Sequence, residues 1–180
     1  MKPDLPHLSV VIGAAASGKS TFAERLVENA ARPMTYIATA QAYDDEMRTK
    51  IATHQARRSG DWQTIEAPLD ASNALLAVPA DHVVLLDCVT LWLTNHLLAN
   101  SDLLREESHL LHALQSCDAP VVVVTNEVGA GIVPDNALSR RFRAAQGRLN
   151  QSLAARADCV VAVIAGLPLA LKGALPKDMT

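Results

Sequence analysis

Residues 8–30 read LSVVI-GAAASGKS-TFAERLVENA: a short apolar run, a loop of pattern G-x-x-x-x-G-K-S, and an amphipathic helical stretch. Few local patterns constrain a chain more. The strand must end at Gly13 and the helix must begin near Lys19, so the backbone N–H groups between them converge on one point. The helix N-terminus adds partial positive charge at that point, which makes it a seat for phosphate. Lys19 is then expected to reach the β and γ phosphates of a nucleoside triphosphate, and the Ser20 hydroxyl to ligate Mg2+. The remaining loop positions, Ala14, Ala15, Ala16, Ser17 and Gly18, supply backbone to the same cradle.

The rest of the chain alternates in the same manner. Apolar runs at Leu8–Ile12, Met34–Ala38, Val83–Cys88, Val121–Thr125 and Val160–Ala165 do not alternate in polarity, as expected of parallel strands covered on both faces. Trp62–Ala67 reads as a shorter strand. Helical patterns cover Ser20–Ala30, Tyr43–Arg58, Ala71–Leu76, Thr90–Leu98, a stretch around Leu103–Leu114, and Asn136–Ala157. No Gly/Ser linker, repeat or low-complexity segment interrupts them. The expectation is one α/β domain of 180 residues, with a mostly parallel central sheet and helices on both faces. Its ligands should lie beyond the carboxyl ends of the strands.

Charge and cysteine usage narrow the setting. Sixteen Lys and Arg against nineteen Asp and Glu give a net charge of -3, which offers no general attraction to nucleic acid or to an anionic membrane. Cys88, Cys117 and Cys159 are odd in number and form no C-x-x-C pair, so a reduced cytoplasmic setting is expected. No apolar run has the length needed to cross a bilayer.

Two further features bear on chemistry. In HVVLLDCVTLW, apolar residues run into Asp87, the setting of a magnesium-side carboxylate in a phosphate-loop enzyme. A cap for the helix at Thr90 is the other reading of Asp87. In DDEMRTKIATHQARR, Tyr43, Met47, Ile51 and His54 share a helix face, with Arg58 one turn beyond. A histidine on such a face can be a hydrogen-bonded core residue. Arg57, Arg58 and Lys50 favour a different role: cations hold the imidazole neutral and would also hold a triphosphate. A neutral imidazole can attack an α-phosphorus, forming a phosphoramidate and expelling pyrophosphate.

GAAASGKS, YIATA, DDEMRTKIATHQARRSGDWQTIEAP, LLDCVTLWLTN, VTNEVGAGIVPDNALSRRFRAAQGRLNQSLAARAD and GLPLALK occur in one order. Together they resemble the bifunctional adenosylcobinamide kinase / adenosylcobinamide-phosphate guanylyltransferase family of cobalamin biosynthesis, from about Leu8 to Lys172. The resemblance implies a RecA-like phosphate-loop domain assembled as a homotrimer. It implies phosphorylation of adenosylcobinamide with ATP or GTP, then transfer of GMP from GTP to adenosylcobinamide phosphate through a guanylylated His54. Nucleotide contacts are implied at Gly13–Ser20, Ala38, Thr39, Ala40, Gln55, Ala56, Arg57, Arg58, Glu66 and Asp87. This chain departs from the family at Ala14 and Ala16, where Gly and Arg are usual, and so lacks one cation near the nucleotide. Two other readings stand beside this one: a simple phosphate-loop kinase with His54 structural, and a nucleotide-dependent switch. Against the switch, none of the asparagines is followed by Lys, so the guanine-reading N-K-x-D pattern is missing.

Overall fold

A computed structural model gives the architecture; it describes residues 5–42, 45, 48–49, 52–53, 60–175 and 179. Seven strands form one sheet: β1 (Leu8–Gly13), β2 (Met34–Ala38), β3 (Trp62–Glu66), β4 (Val83–Asp87), β5 (Val121–Asn126), β6 (Cys159–Ile164) and β7 (Leu167–Lys172). The order is β3-β2-β4-β5-β1-β6-β7, parallel throughout except for β7, which returns antiparallel along β6. The helices are α1 (Lys19–Glu28), α2 (Ala71–Leu76), α3 (Val89–Leu98), α4 (Leu103–Ser116) and α5 (Ala137–Arg156). Asp45, Arg48, Thr49, Ala52 and Thr53 also have helical backbone, within the segment expected to be a helix.

The unbroken apolar strands follow from burial on both faces. Successive residues of a strand point to opposite sides. Val10, Val84, Leu86, Val121 and Val123 accordingly face the core beneath α2 to α5. Val11, Val83, Leu85, Val122 and Val124 pack with Phe22, Leu26 and Val27 of α1 on the other side. A polar residue at either kind of position would be buried, so the sequence has nowhere to alternate.

Strand β7 is the element that the residue patterns do not announce. Pro168 interrupts its run and argues against a strand, yet an edge position tolerates the missing donor. The turn into it is a two-residue hairpin at Ala165 and Gly166, both with positive φ (53° and 79°). That geometry matches the right-handed twist of the flanking strands.

Strand β1 is where the sheet changes direction. The chain leaves β1 through α1 toward β2 and leaves β5 through α5 toward β6, on the far side of β1. A crevice therefore opens at the carboxyl end of β1, the position at which such sheets take ligands.

Candidate active site

The loop of residues 13–20 fills that crevice. Lys19 opens α1, Gly18 caps it at φ 91°, and no acidic residue lies in its first turn, so the helix dipole is uncompensated. Inside the loop, the Ser17 N–H donates to Ala14 O at 3.3 Å and Lys19 Nζ donates to the same carbonyl at 3.2 Å. Ala14, Ala15 and Ala16 form an exposed rim, while Ser17 and Lys19 are buried. The two family departures, Ala14 and Ala16, thus sit where side chains face outward. Gly13 admits no side chain: a Cβ there would clash with Ser17 Oγ and come within 2.7 Å of Val163 O.

Two neighbours hold the loop. Just past β5, the Glu127 N–H donates to Gly13 O at 3.1 Å. From the β6–β7 turn, the Gly166 N–H donates to Ser17 O at 2.9 Å. The second contact was not foreseen; the dipeptide Ala165-Gly166 between two apolar runs is the signal that marks it.

Sheet register assembles the other strand-end residues. Ala38 pairs with Glu66 on one side and Asp87 on the other, and Gly13 pairs with Asn126. Adjacent strands are about 4.8 Å apart, so Glu66 and Asp87 stand roughly 10 Å from each other across Ala38. Tyr36 Oη donates to Asp87 Oδ2 at 3.0 Å, orienting the carboxylate. Asp87 does not cap α3, whose N-cap residue is Cys88.

Thr39 is fully buried and serves the backbone. Its hydroxyl donates to Cys88 O at 2.7 Å and accepts from Cys88 N at 2.9 Å, across the cis peptide bond of Asp87 and Cys88. Asn95 Nδ2 donates to both Thr39 O and Pro68 O, tying together the segments that follow β2 and β3. The site floor is therefore fixed by hydrogen bonds between segments. Ala40 continues this segment, half-shielded from solvent among its neighbours.

Electrostatics agree with this placement. Burial pushes the Cys88 thiol up to about 12, with the Asp87 charge adding to the rise and Lys19 opposing it. A carboxylate and an ammonium thus act on the same strand end. Cys88 stays a protonated, inert thiol there. Ser17 Oγ and Asn126 Oδ1 are buried at the edge of the cradle with no hydrogen-bond partner among the described residues. Buried polar atoms of this kind ordinarily have partners, which suits a site completed by a polar ligand.

The donor set fits Mg2+. No group of three or more His, Cys, Asp or Glu gathers among the described residues, so no all-protein cage forms there. A carboxylate and a hydroxyl, as Asp87 and Ser20 offer, are the kinds of oxygen ligand this ion takes when phosphate oxygens and water complete its shell. His54, Gln55, Ala56, Arg57 and Arg58 lie outside the described residues. No described helix is long and apolar enough to cross a membrane.

A family model described as "Cobinamide kinase / cobinamide phosphate guanyltransferase" matches residues 9–171. The chain is 44% identical over 167 residues to a Pseudomonas aeruginosa protein named "Bifunctional adenosylcobalamin biosynthesis protein CobP", covering 91% of this chain and 96% of the relative. It is 40% identical over 179 residues to a Salmonella typhimurium protein named "Bifunctional adenosylcobalamin biosynthesis protein CobU", covering 91% and 98%. Among solved structures, the RadB recombinase superposes with a TM-score of 0.53 at 18% identity, over 88% of this chain and 75% of that one. A type III secretion system ATPase superposes at 0.55 and 11% identity, over 92% and 57%. These two likenesses establish the fold, a RecA-like phosphate-loop domain.

Proposed function

Since this chain belongs to the cobinamide kinase / cobinamide phosphate guanyltransferase family, we propose that it carries out both transfers from one phosphate cradle. In the first, the hydroxyl of the aminopropanol arm of adenosylcobinamide attacks the γ-phosphorus of ATP or GTP. The new P–O ester forms, the β–γ bridge breaks, and the nucleoside diphosphate leaves. In the second, a ring nitrogen of His54 attacks the α-phosphorus of GTP and expels pyrophosphate. A phosphate oxygen of adenosylcobinamide phosphate then displaces the imidazole, breaking the P–N bond and giving adenosyl-GDP-cobinamide.

The observation that carries this reading is the phosphate loop at the sheet's switch point, with Asp87 held at the same edge by Tyr36. The loop amides, Lys19 and the α1 N-terminus neutralise developing charge on the phosphates. Ser20 and Asp87 would hold Mg2+, which when bound screens the phosphates from an incoming nucleophile. Gln55–Arg58, Ala38–Ala40 and Glu66 complete the nucleotide contacts in this reading. The test is product identity: the protein, given adenosylcobinamide, ATP and GTP with magnesium, should yield adenosyl-GDP-cobinamide and pyrophosphate. A product that stops at adenosylcobinamide phosphate would leave a simple kinase.

The protein acts in the cytoplasm and as a homotrimer in this reading. Supporting the assembly, Ile164, Leu167, Leu169 and Leu171 at the β6–β7 edge are 66%, 73%, 57% and 60% exposed. Apolar side chains so grouped on an edge strand mark a surface that another chain covers. Sedimentation of the wild type should give a trimer mass and Leu169→Lys should lower it. A monomeric wild type, or a trimer indifferent to the lysine, counts against this assembly.

A further inference from the structure

An open groove of about 420 Å³ runs along one side of α5, bordered by the loop that follows β5. Arg140, Arg143 and Arg148 line it with Gly129, Ala144 and Gly147, and no acidic side chain of the described residues takes part. Arg140 donates to the carbonyls of Pro134 and Asp135 at 2.9 and 2.6 Å, and Arg143 donates to Gly129 O. Backbone carbonyls orient these guanidinium groups without cancelling their charge. Arg148 makes no hydrogen bond or ion pair among the described residues. Two oriented guanidinium groups and one that is exposed and unpaired among the described residues thus share the groove.

Gly147 shapes the same groove. Glycine within a helix is unfavourable relative to alanine. A Cβ at this position would meet nothing within 4 Å, so no packing contact requires the glycine. What it provides is room on the groove floor, one turn from Ala144. Position matters as well. Glu127 is bonded to Gly13 of the phosphate loop, and Gly129 lies within about 7 Å of Glu127. The Gly129 end of the groove therefore lies toward the phosphate loop, and the rest extends from it along α5.

We propose that this groove binds the phosphate-bearing arm of the phosphorylated acceptor, an assignment that rests on the two-step function above. The first transfer turns an uncharged hydroxyl into a phosphomonoester dianion. Planar guanidinium groups pair with phosphate oxygens through parallel hydrogen bonds. The grip on the intermediate tightens once it is made, and the product of the first step is kept for the second. Three guanidinium groups hold a phosphate dianion much more strongly than a neutral hydroxyl.

Steady-state kinetics on the full chain test this, with Arg148→Ala, Arg148→Lys and Gly147→Leu. Arg148 is exposed, so its removal spares the fold. Arg148→Ala should raise the KM for adenosylcobinamide phosphate about tenfold, the effect of one charge-assisted hydrogen bond. The KM for GTP and for unphosphorylated adenosylcobinamide should stay within twofold. Arg148→Lys should recover part of the loss, and Gly147→Leu should raise the same KM by obstruction. An unchanged KM in both Arg148→Ala and Gly147→Leu overturns the assignment. So does an equal rise for the unphosphorylated acceptor, which would signal contact with the corrinoid body. A shift confined to inhibition by added pyrophosphate would make the groove a product site and overturn it too. A wild type that transfers no GMP at all removes the two-step function and this groove's role together; an active wild type with unaffected variants removes the groove's role alone.

Discussion

Lys19→Ala should reduce both phosphoryl transfer and guanylyl transfer, each kcat/KM falling on the order of 10³-fold. The side chain is only 9% exposed and its Nζ rests 3.2 Å from Ala14 O, so the ammonium is held inside the loop it serves. The β and γ phosphates are common to both reactions. In one the γ-phosphoryl moves; in the other the β and γ groups leave as pyrophosphate. The same cation therefore stabilises the departing charge in each. Loop amides and the α1 N-terminus remain in the variant, so nucleotide binding should weaken less than turnover. The fold should survive, because the Lys19 ammonium bonds a carbonyl of its own loop and alanine favours the helix that begins there. Rates for both steps, beside a thermal melt, decide the matter. Either activity within tenfold of wild type would remove Lys19 from that step.

His54→Ala should divide the two activities instead. With GTP labelled at the α-phosphate, the wild type should acquire protein-bound label that is acid-labile and alkali-stable, as a phosphoramidate is. The variant should take none, and GMP transfer should fall by roughly 10⁴-fold or more, as for loss of a covalent nucleophile. Phosphorylation of adenosylcobinamide should stay within a factor of about three, because attack at the γ-phosphorus needs the cradle and not the imidazole. Label that survives the substitution would assign the nucleophile elsewhere. Loss of kinase activity in equal measure would make His54 a structural residue. The lysine and histidine variants thus separate what the two reactions share from what only one requires.

The parts of this site that residue patterns revealed are those fixed by local geometry. Gly13, Gly18, Lys19 and Ser20 are demanded by a loop that turns sharply from strand to helix. Asp87 is visible because a buried strand that ends in a carboxylate exposes it at the sheet edge. Other parts depend on contacts distant in the chain. Tyr36 looks like one more strand residue until register brings its hydroxyl to Asp87. Thr39 and Asn95 look like loop and helix-surface residues until they meet across two segments. Strand β7 escaped notice because Pro168 argues against a strand everywhere except at an edge, and edge status is a property of the sheet. Arg140 and Arg143 resemble a solvated helix face because the loop that borders their groove, and bonds to Arg143 at Gly129, is distant in the pattern.

The hydrogen bond from Gly166 to Ser17 bears on the portability of the phosphate motif. Val163 O also lies close enough to Gly13 to forbid a side chain there. One wall of the cradle is thus donated by residues near the opposite end of the chain. Grafting residues 8–30 onto another sheet would transfer the motif and leave its counter-wall behind. The sequence pattern is a unit of recognition for the reader, but the binding site as a working object is assembled from both ends of the polypeptide.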